Sequence, residues 1–189
     1  MLQDTENILY PLSEYYENHG IPFPNLKLVN PDQIPEPYRH LLVHQSDMTG
    51  RLNEYYHEMP VLVVIEKKTT NHELLRRVAL HLPSTGRRIE FGEIKIYLDR
   101  FSPTVRALIE EGHLPLGGIL TDHQINFISS PKCYFEVTSD KMIRDCLSIT
   151  TTNNLYGRDN QLRDTAGNLI ADIIEILPPC ESGNSINHD

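Results

Sequence analysis

Hydrophobic and polar residues alternate along residues 73–82, which read ELLRRVALHL. Side chains on a β-strand point to opposite faces in turn, so this pattern predicts a strand. Arg76 shares a face with Leu74, Val78 and Leu80, whereas Arg77 falls on the other, wetter face. We therefore expect Arg76 to lie on the buried side of a sheet.

A second alternating region, residues 155–179, predicts a β-hairpin. Residues 164–168 (DTAGN) have the composition of a turn, and residues 169–177 form an Ile- and Leu-rich strand. Glu175 stands among apolar residues there, where an unpaired carboxylate costs several kcal/mol or takes up a proton. Arg76 and Glu175 together predict a polar site inside the fold. The alternative is that each leans toward solvent or joins a structural ion pair.

The remaining pattern predicts a mostly antiparallel sheet flanked by helices, which is the α+β class. A phase change at Gly92, within a strand over residues 87–98, is typical of a β-bulge. Residues 1–179 are predicted as one domain with an N-terminal extension over 1–40, and residues 180–189 as a disordered tail. Two further strands are predicted at 61–67 and 125–137, and the second is interrupted at 129–131. Helices are predicted at 36–45, 48–56, 103–112 and 140–147. Ser46 or Asp47 would cap the helix at 48–56.

Composition limits the classes of partner and compartment. The 189 residues are 39% hydrophobic and 23% charged, as in a globular domain. The net charge of −9 argues against a nucleic-acid partner, which requires clustered Lys and Arg. Three scattered Cys, without a C-x-x-C motif, favour a reducing cytoplasm. The N-terminus lacks the pattern of a secretory signal, and the longest apolar run, Val61 to Ile65, is too short to span a membrane.

The sequence contains neither a G-x-G-x-x-G motif nor a P-loop, so those kinds of nucleotide binding are not predicted. His40 and His44 have a spacing that suits a metal on a helix, but no third ligand is evident. A solvated helix face is the better interpretation, and we predict no metal site. The cysteines lack an activating context for catalysis.

Four ordered stretches resemble the chorismate lyase (chorismate–pyruvate lyase) family and its relatives of uncharacterised function. These stretches are LVHQSDMTGRL at 42–52, LLRRVAL at 74–80, LPLGGIL at 114–120, and the pair LYGR at 155–158 and IEILPP at 174–179. The resemblance covers roughly residues 41–179. It departs from the family in a longer segment over 121–154 and in the first forty or so residues, which have no clear counterpart.

The resemblance implies an enclosed pocket and a carbon–oxygen lyase that splits chorismate into 4-hydroxybenzoate and pyruvate, without a cofactor, for quinone biosynthesis. Met48 would line the pocket and Arg76 would bind a substrate carboxylate. Leu116 would contribute its backbone, and Glu175 would face the ring hydroxyl and could assist proton transfer. Arg76 and Glu175 would thus be the catalytic residues.

Two alternatives to this lyase remain open. The first is a non-catalytic effector-sensing domain of the same fold, as in transcription regulators. Such regulators need an attached DNA-binding domain, and the acidic N-terminal region offers no basic recognition helix. The second is a related enzyme that acts on a different enolpyruvyl compound.

Overall fold

The computed structural model describes residues 9–180, so most of the predicted tail lies outside the described residues. Seven strands form one sheet in the order β1-β5-β6-β7-β4-β3-β2, and every neighbouring pair is antiparallel. The predicted α+β class with a single antiparallel sheet is confirmed. The strands are β1 (Leu26–Val29), β2 (Val61–Thr69), β3 (Glu73–His81), β4 (Arg88–Tyr97), β5 (Phe127–Thr138), β6 (Asn154–Asp164) and β7 (Leu169–Ile176).

Residues 9–180 contain six α-helices, and three of them begin at a residue whose side chain caps the helix. Asp47 Oδ1 accepts a hydrogen bond from the backbone N–H of Gly50 at 2.7 Å, and the Asp140 and Ser102 side chains accept equivalent bonds at their helices. The predicted helix over 36–45 is shorter than expected. The helices are α1 (Leu12–His19), α2 (Tyr38–Leu42), α3 (Met48–Tyr56), α4 (Pro103–Glu111), α5 (Leu116–Asp122) and α6 (Lys141–Leu147), with short 3-10 helices at Pro31–Gln33 and Leu98–Arg100.

Helices cover both faces of the sheet. On one face, α1 and α6 pack over an apolar cluster that contains Phe91, Phe135 and Ile174. On the other face, α2 and α3 cover one end and α4 and α5 cover the opposite end. This second face therefore has two separate apolar clusters, and the space between them lies over the middle of β3, β4 and β7.

The strand over 88–97 is regular at Gly92, so the predicted β-bulge at that residue is wrong. Gly92 pairs directly with Val78, and the register shift lies beyond it, between Leu80 and His81. The phase change in the sequence has another cause. Because helices bury both faces of β4, Phe91 packs beneath α1 and α6 while Ile94 packs beneath α4 and α5.

The face expected to be wetter is buried as well. Arg77 is only 5% exposed, its Nε donates to Glu93 Oε2 at 2.8 Å, and its Nη1 donates to Glu66 Oε2 at 2.9 Å. Its guanidinium carbon lies 3.6 Å from the centre of the Tyr15 ring. Tyr15 belongs to α1, within the predicted N-terminal extension, and this helix shields Arg77 from water.

The interruption predicted in the strand over 125–137 is a register shift within β5, between Pro131 and Cys133. No helix within residues 9–180 is both long enough and apolar enough to cross a membrane.

We predict that Gly157→Ala destabilises the fold by about 2 kcal/mol, because overpacking strains a close-packed core. A Cβ at Gly157 would lie 2.5 Å from the Glu175 carbonyl oxygen and 2.5 Å from Phe135 Cζ. Urea unfolding of the two proteins measures the difference. Gly118→Ala is the control, because a Cβ there meets nothing within 4 Å on helix α5. The two substitutions having equal effects would contradict this account of the packing.

Candidate functional site

A cavity lies between the middle of the sheet and the first residues of α3 and α5. Its volume is about 70 Å³, below the range of roughly 300–1,000 Å³ that is usual for small-ligand sites, so the cavity suits a compact ligand. Its lining is mainly apolar, with a few polar side chains from different strands. The lining residues are Asp47, Met48, Thr49, Leu62, Arg76, Val78, Leu80, Glu90, Gly92, Ile94, Pro115, Leu116, Gly117, Asn160, Leu162, Ile173 and Glu175.

Arg76 is a buried cation without a protein partner for most of its guanidinium. It is 2% exposed, and its Nε and Nη1 have no hydrogen-bond partner among residues 9–180. Burial lowers the pKa of the guanidinium to about 10, so it stays positively charged at neutral pH. A buried charge without a partner is costly, and such a group within a cavity points to a ligand of opposite charge.

Glu175 lines the same cavity, but its carboxylate is held by Arg158 and not by Arg76. Arg158 on β6 is completely buried, and its Nε donates a short hydrogen bond to Glu175 Oε2. Arg158 Nη1 also donates to the backbone oxygens of Leu42 at 3.1 Å and His44 at 3.2 Å. This pair therefore connects the closing hairpin to the segment that leads into α3.

Glu90 is a second carboxyl group in the cavity. It is 5% exposed, and its Oε2 has no hydrogen-bond partner among the described residues. Burial, and after it the negative charge of Glu175, raises the carboxyl pKa well above its ordinary value, although the positive charge of Arg158 opposes this shift. The cavity therefore favours the protonated form of the Glu90 carboxyl.

The charged groups of the site are only partly paired. Arg158 and Glu175 form one ion pair, and Asp47 accepts a hydrogen bond from the backbone N–H of Gly50. His44 beside Arg158 adds no charge, because burial lowers its imidazole pKa to about 4. Arg76 keeps its positive charge, and two of its guanidinium nitrogens have no partner among residues 9–180.

All four residues singled out in the sequence line this one cavity: Met48, Arg76, Leu116 and Glu175. Met48 and Leu116 are each 4% exposed and belong to the apolar clusters on either side of it. Residues 9–180 hold no group of three or more His, Cys, Asp or Glu arranged for a metal ion.

Sequence reasoning missed Arg158 and Glu90. Arg158 lies in a polar stretch of β6, where no apolar context marks it as buried. Glu90 could have been found, because it shares a face with Gly92 and Ile94 by strand alternation. The assumed bulge at Gly92 concealed that relation.

No protein-family model matches the chain, and no curated protein matches it in sequence. Similarity appears among solved structures. The ligand-binding domain of a Bordetella bronchiseptica protein assigned to the GntR family of transcriptional regulators is 12% identical, with a TM-score of 0.51 over 68% of this chain and 92% of that one.

PhnF from Mycobacterium smegmatis has the same fold. Its effector domain is 11% identical, with a TM-score of 0.53 over 70% of this chain and 88% of that one. In the longer PhnF structure the identity is 10% and the TM-score 0.53, over 72% of this chain. The chain covers 65% of that longer structure, which is less than two thirds of its length. At such low identity the comparison establishes the fold.

The prediction of an enzyme, a chorismate pyruvate-lyase, is wrong. The similar structures named above include the ligand-binding domain of a transcriptional regulator and the effector domain of PhnF. Both residues predicted to be catalytic, Arg76 and Glu175, line the cavity, where Arg158 holds the Glu175 carboxylate.

Substitution by Met is predicted to affect the stability of the fold differently at the two adjacent arginines of β3. Arg77→Met should lower the free energy of unfolding by about 3 kcal/mol, because it leaves the buried Glu93 carboxylate without its cation. Arg76→Met should leave that free energy unchanged or raise it, because it removes an uncompensated buried charge. Urea unfolding of both variants measures this. Equal losses in the two variants would contradict the assignment.

The Arg158–Glu175 pair is predicted to act as one unit. Arg158→Met and Glu175→Gln should each cost about 3 kcal/mol of unfolding free energy, because each leaves a buried group unpaired. The double variant should lose at least about 1 kcal/mol less than the sum of the two single losses. Strict additivity in a double-mutant cycle would mean that the two groups do not interact.

Proposed function

We propose that this chain is a non-catalytic domain that binds a small organic anion in the cavity and so senses it as an effector. The observation that carries the proposal is the buried guanidinium of Arg76, which faces the cavity with two nitrogen atoms unpartnered among residues 9–180. The regulator domains that share the fold support the sensing role.

The chemistry of the lining favours an acid with an apolar body. A carboxylate or phosphonate group can accept hydrogen bonds from the planar guanidinium in two places. The apolar side chains of Val78, Ile94 and Ile173 would enclose the carbon skeleton of such an acid. These features suit a compact organic acid better than a neutral or cationic molecule.

The start of α3 would supply further donors. Met48 and Thr49 are the first residues of this nine-residue helix, and both line the cavity. Backbone N–H groups in the first turn of a helix lack intrahelical acceptors, and they attract negative charge. Asp47 caps the helix through Gly50, which leaves the preceding N–H groups for a ligand. In this proposal Met48 is one of the residues that contact the ligand.

Calorimetry with matched acids and amides tests this function. The panel pairs benzoate with benzamide, pentanoate with pentanamide, and phenylphosphonate with its neutral diester. We expect the acids to bind at least about tenfold more tightly than their neutral partners, because hydrogen bonds to a charged group are stronger than neutral ones. Arg76→Met should remove this preference.

Glu111→Gln is the matched control for a change of one charge, because Glu111 is exposed at the end of α4, away from the cavity lining. This variant should bind as the parent does. A panel in which no acid binds the parent protein more tightly than it binds Arg76→Met would overturn the proposed function.

A further inference from the structure

The cavity has chemically different ends. Arg76 on β3 pairs with Ile94 on β4, whereas Glu90 lies four residues further along β4, opposite Leu80. Four residues of a strand span about 13 Å at the backbone, and the even spacing puts both side chains on the same face. Arg76 and Glu90 therefore mark opposite ends of one cavity.

The middle of the cavity floor is formed by Gly92 and the Val78 side chain beside it. Gly92 lies between Ile94 and Glu90 on the strand face that lines the cavity, and it pairs with Val78. A Cβ at Gly92 would lie 3.0 Å from Val78 Cγ2 and 3.8 Å from Glu90 Oε1, so the floor has no room for a larger residue there. A ligand that reaches from the guanidinium to the carboxyl group would therefore lie over Gly92 and Val78.

Charged groups lie near Glu90. The negative charges of Glu175 from β7 and of Asp47, which precedes α3, act on its carboxyl, and so does the positive charge of Arg158 from β6. Arg158 is already paired with Glu175, and the Glu90 Oε2 atom lacks a partner among residues 9–180. This unpartnered carboxyl favours a positively charged group near Glu90, just as Arg76 favours a negative one at the other end.

We propose that the ligand is dipolar: a small acid whose anionic group lies at Arg76 and whose amino group donates to the carboxylate of Glu90. This inference rests on the proposed function, and it narrows the ligand from organic anions to amino acids with the two groups well separated along a chain. Glu90 is then the residue that selects amino acids over simple acids.

Binding of an ammonium group requires Glu90 to be ionised. Burial and Glu175 raise the pKa of the Glu90 carboxyl, and Asp47 acts in the same direction while Arg158 opposes it. Binding of the dipolar ligand therefore favours release of a proton from Glu90. The affinity of this ligand should rise with pH, whereas a hydroxyl in place of the amine does not require Glu90 to ionise.

The test compares three series of unbranched acids of about four to six carbons, with a terminal amine, hydroxyl or methyl group. These lengths allow for the side chains of Arg76 and Glu90, which shorten the backbone separation of about 13 Å. Calorimetry on the parent protein should give at least about tenfold tighter binding for the best ω-amino acid than for its hydroxyl partner at pH 8. In Glu90→Gln that preference should disappear, while binding of the hydroxy acid is retained.

A second measurement uses only the parent protein, so it does not require Glu90→Gln to fold. Calorimetry of the parent protein in two buffers of different ionisation enthalpy should report proton release with the ω-amino acid and none with the hydroxy acid. Equal affinity of the parent protein for the ω-amino acid and the hydroxy acid would overturn the proposal of a dipolar ligand. A preference for the ω-amino acid that survives in Glu90→Gln would overturn it as well. In both cases, Arg76-dependent binding of acids would still uphold the proposed function. Loss of Arg76-dependent binding for all three series would overturn both.

Discussion

The cost of a buried, uncompensated guanidinium is the constraint around which this molecule is arranged. Arg76 keeps its charge although it is 2% exposed, and most of its donors find no acceptor in residues 9–180. A fold can retain such a group where a ligand repays the desolvation, or where strain at a site is offset by the surrounding structure. The antiparallel sheet and its two pairs of helices provide that surrounding structure, because they leave a gap over β3, β4 and β7.

Two other buried arginines show what a structural cation looks like in this protein. Arg77 holds Glu93 and Glu66, and Arg158 holds Glu175 together with two backbone oxygens. Each of these two arginines connects separate secondary-structure elements, and the charge of each is compensated by a carboxylate. Arg76 shares their burial but lacks their partners. The proposed function therefore rests on the unpartnered guanidinium in one cavity and not on the fold, because one fold can serve different functions.

Much of the fold follows from local pattern. Alternation in residues 73–82 correctly placed Arg76 on a buried face, and the residues around Glu175 marked a buried carboxyl. Ser102 and Asp47 cap helices as their positions suggested. Arg77 shows where this reasoning stops, because its burial depends on α1, which is distant in sequence. Glu90 shows the same limit, because its position on the cavity face depends on Gly92 pairing regularly with its neighbouring strand.

Within residues 9–180 the sequence by itself determined every strand except β1, which side of a strand each side chain takes, and the start of the helices that Asp47 and Ser102 cap. These properties depend on neighbours within a few residues, through the periods of the strand and the helix. Only the tertiary structure decided that Glu175 pairs with Arg158, that Arg76 has no such partner, and that Glu90 lies in the same cavity. Strand order and register bring these groups together from opposite ends of the chain. The hydrophobic period of a strand predicts which face a side chain occupies, but it does not predict which residue of another strand lies opposite.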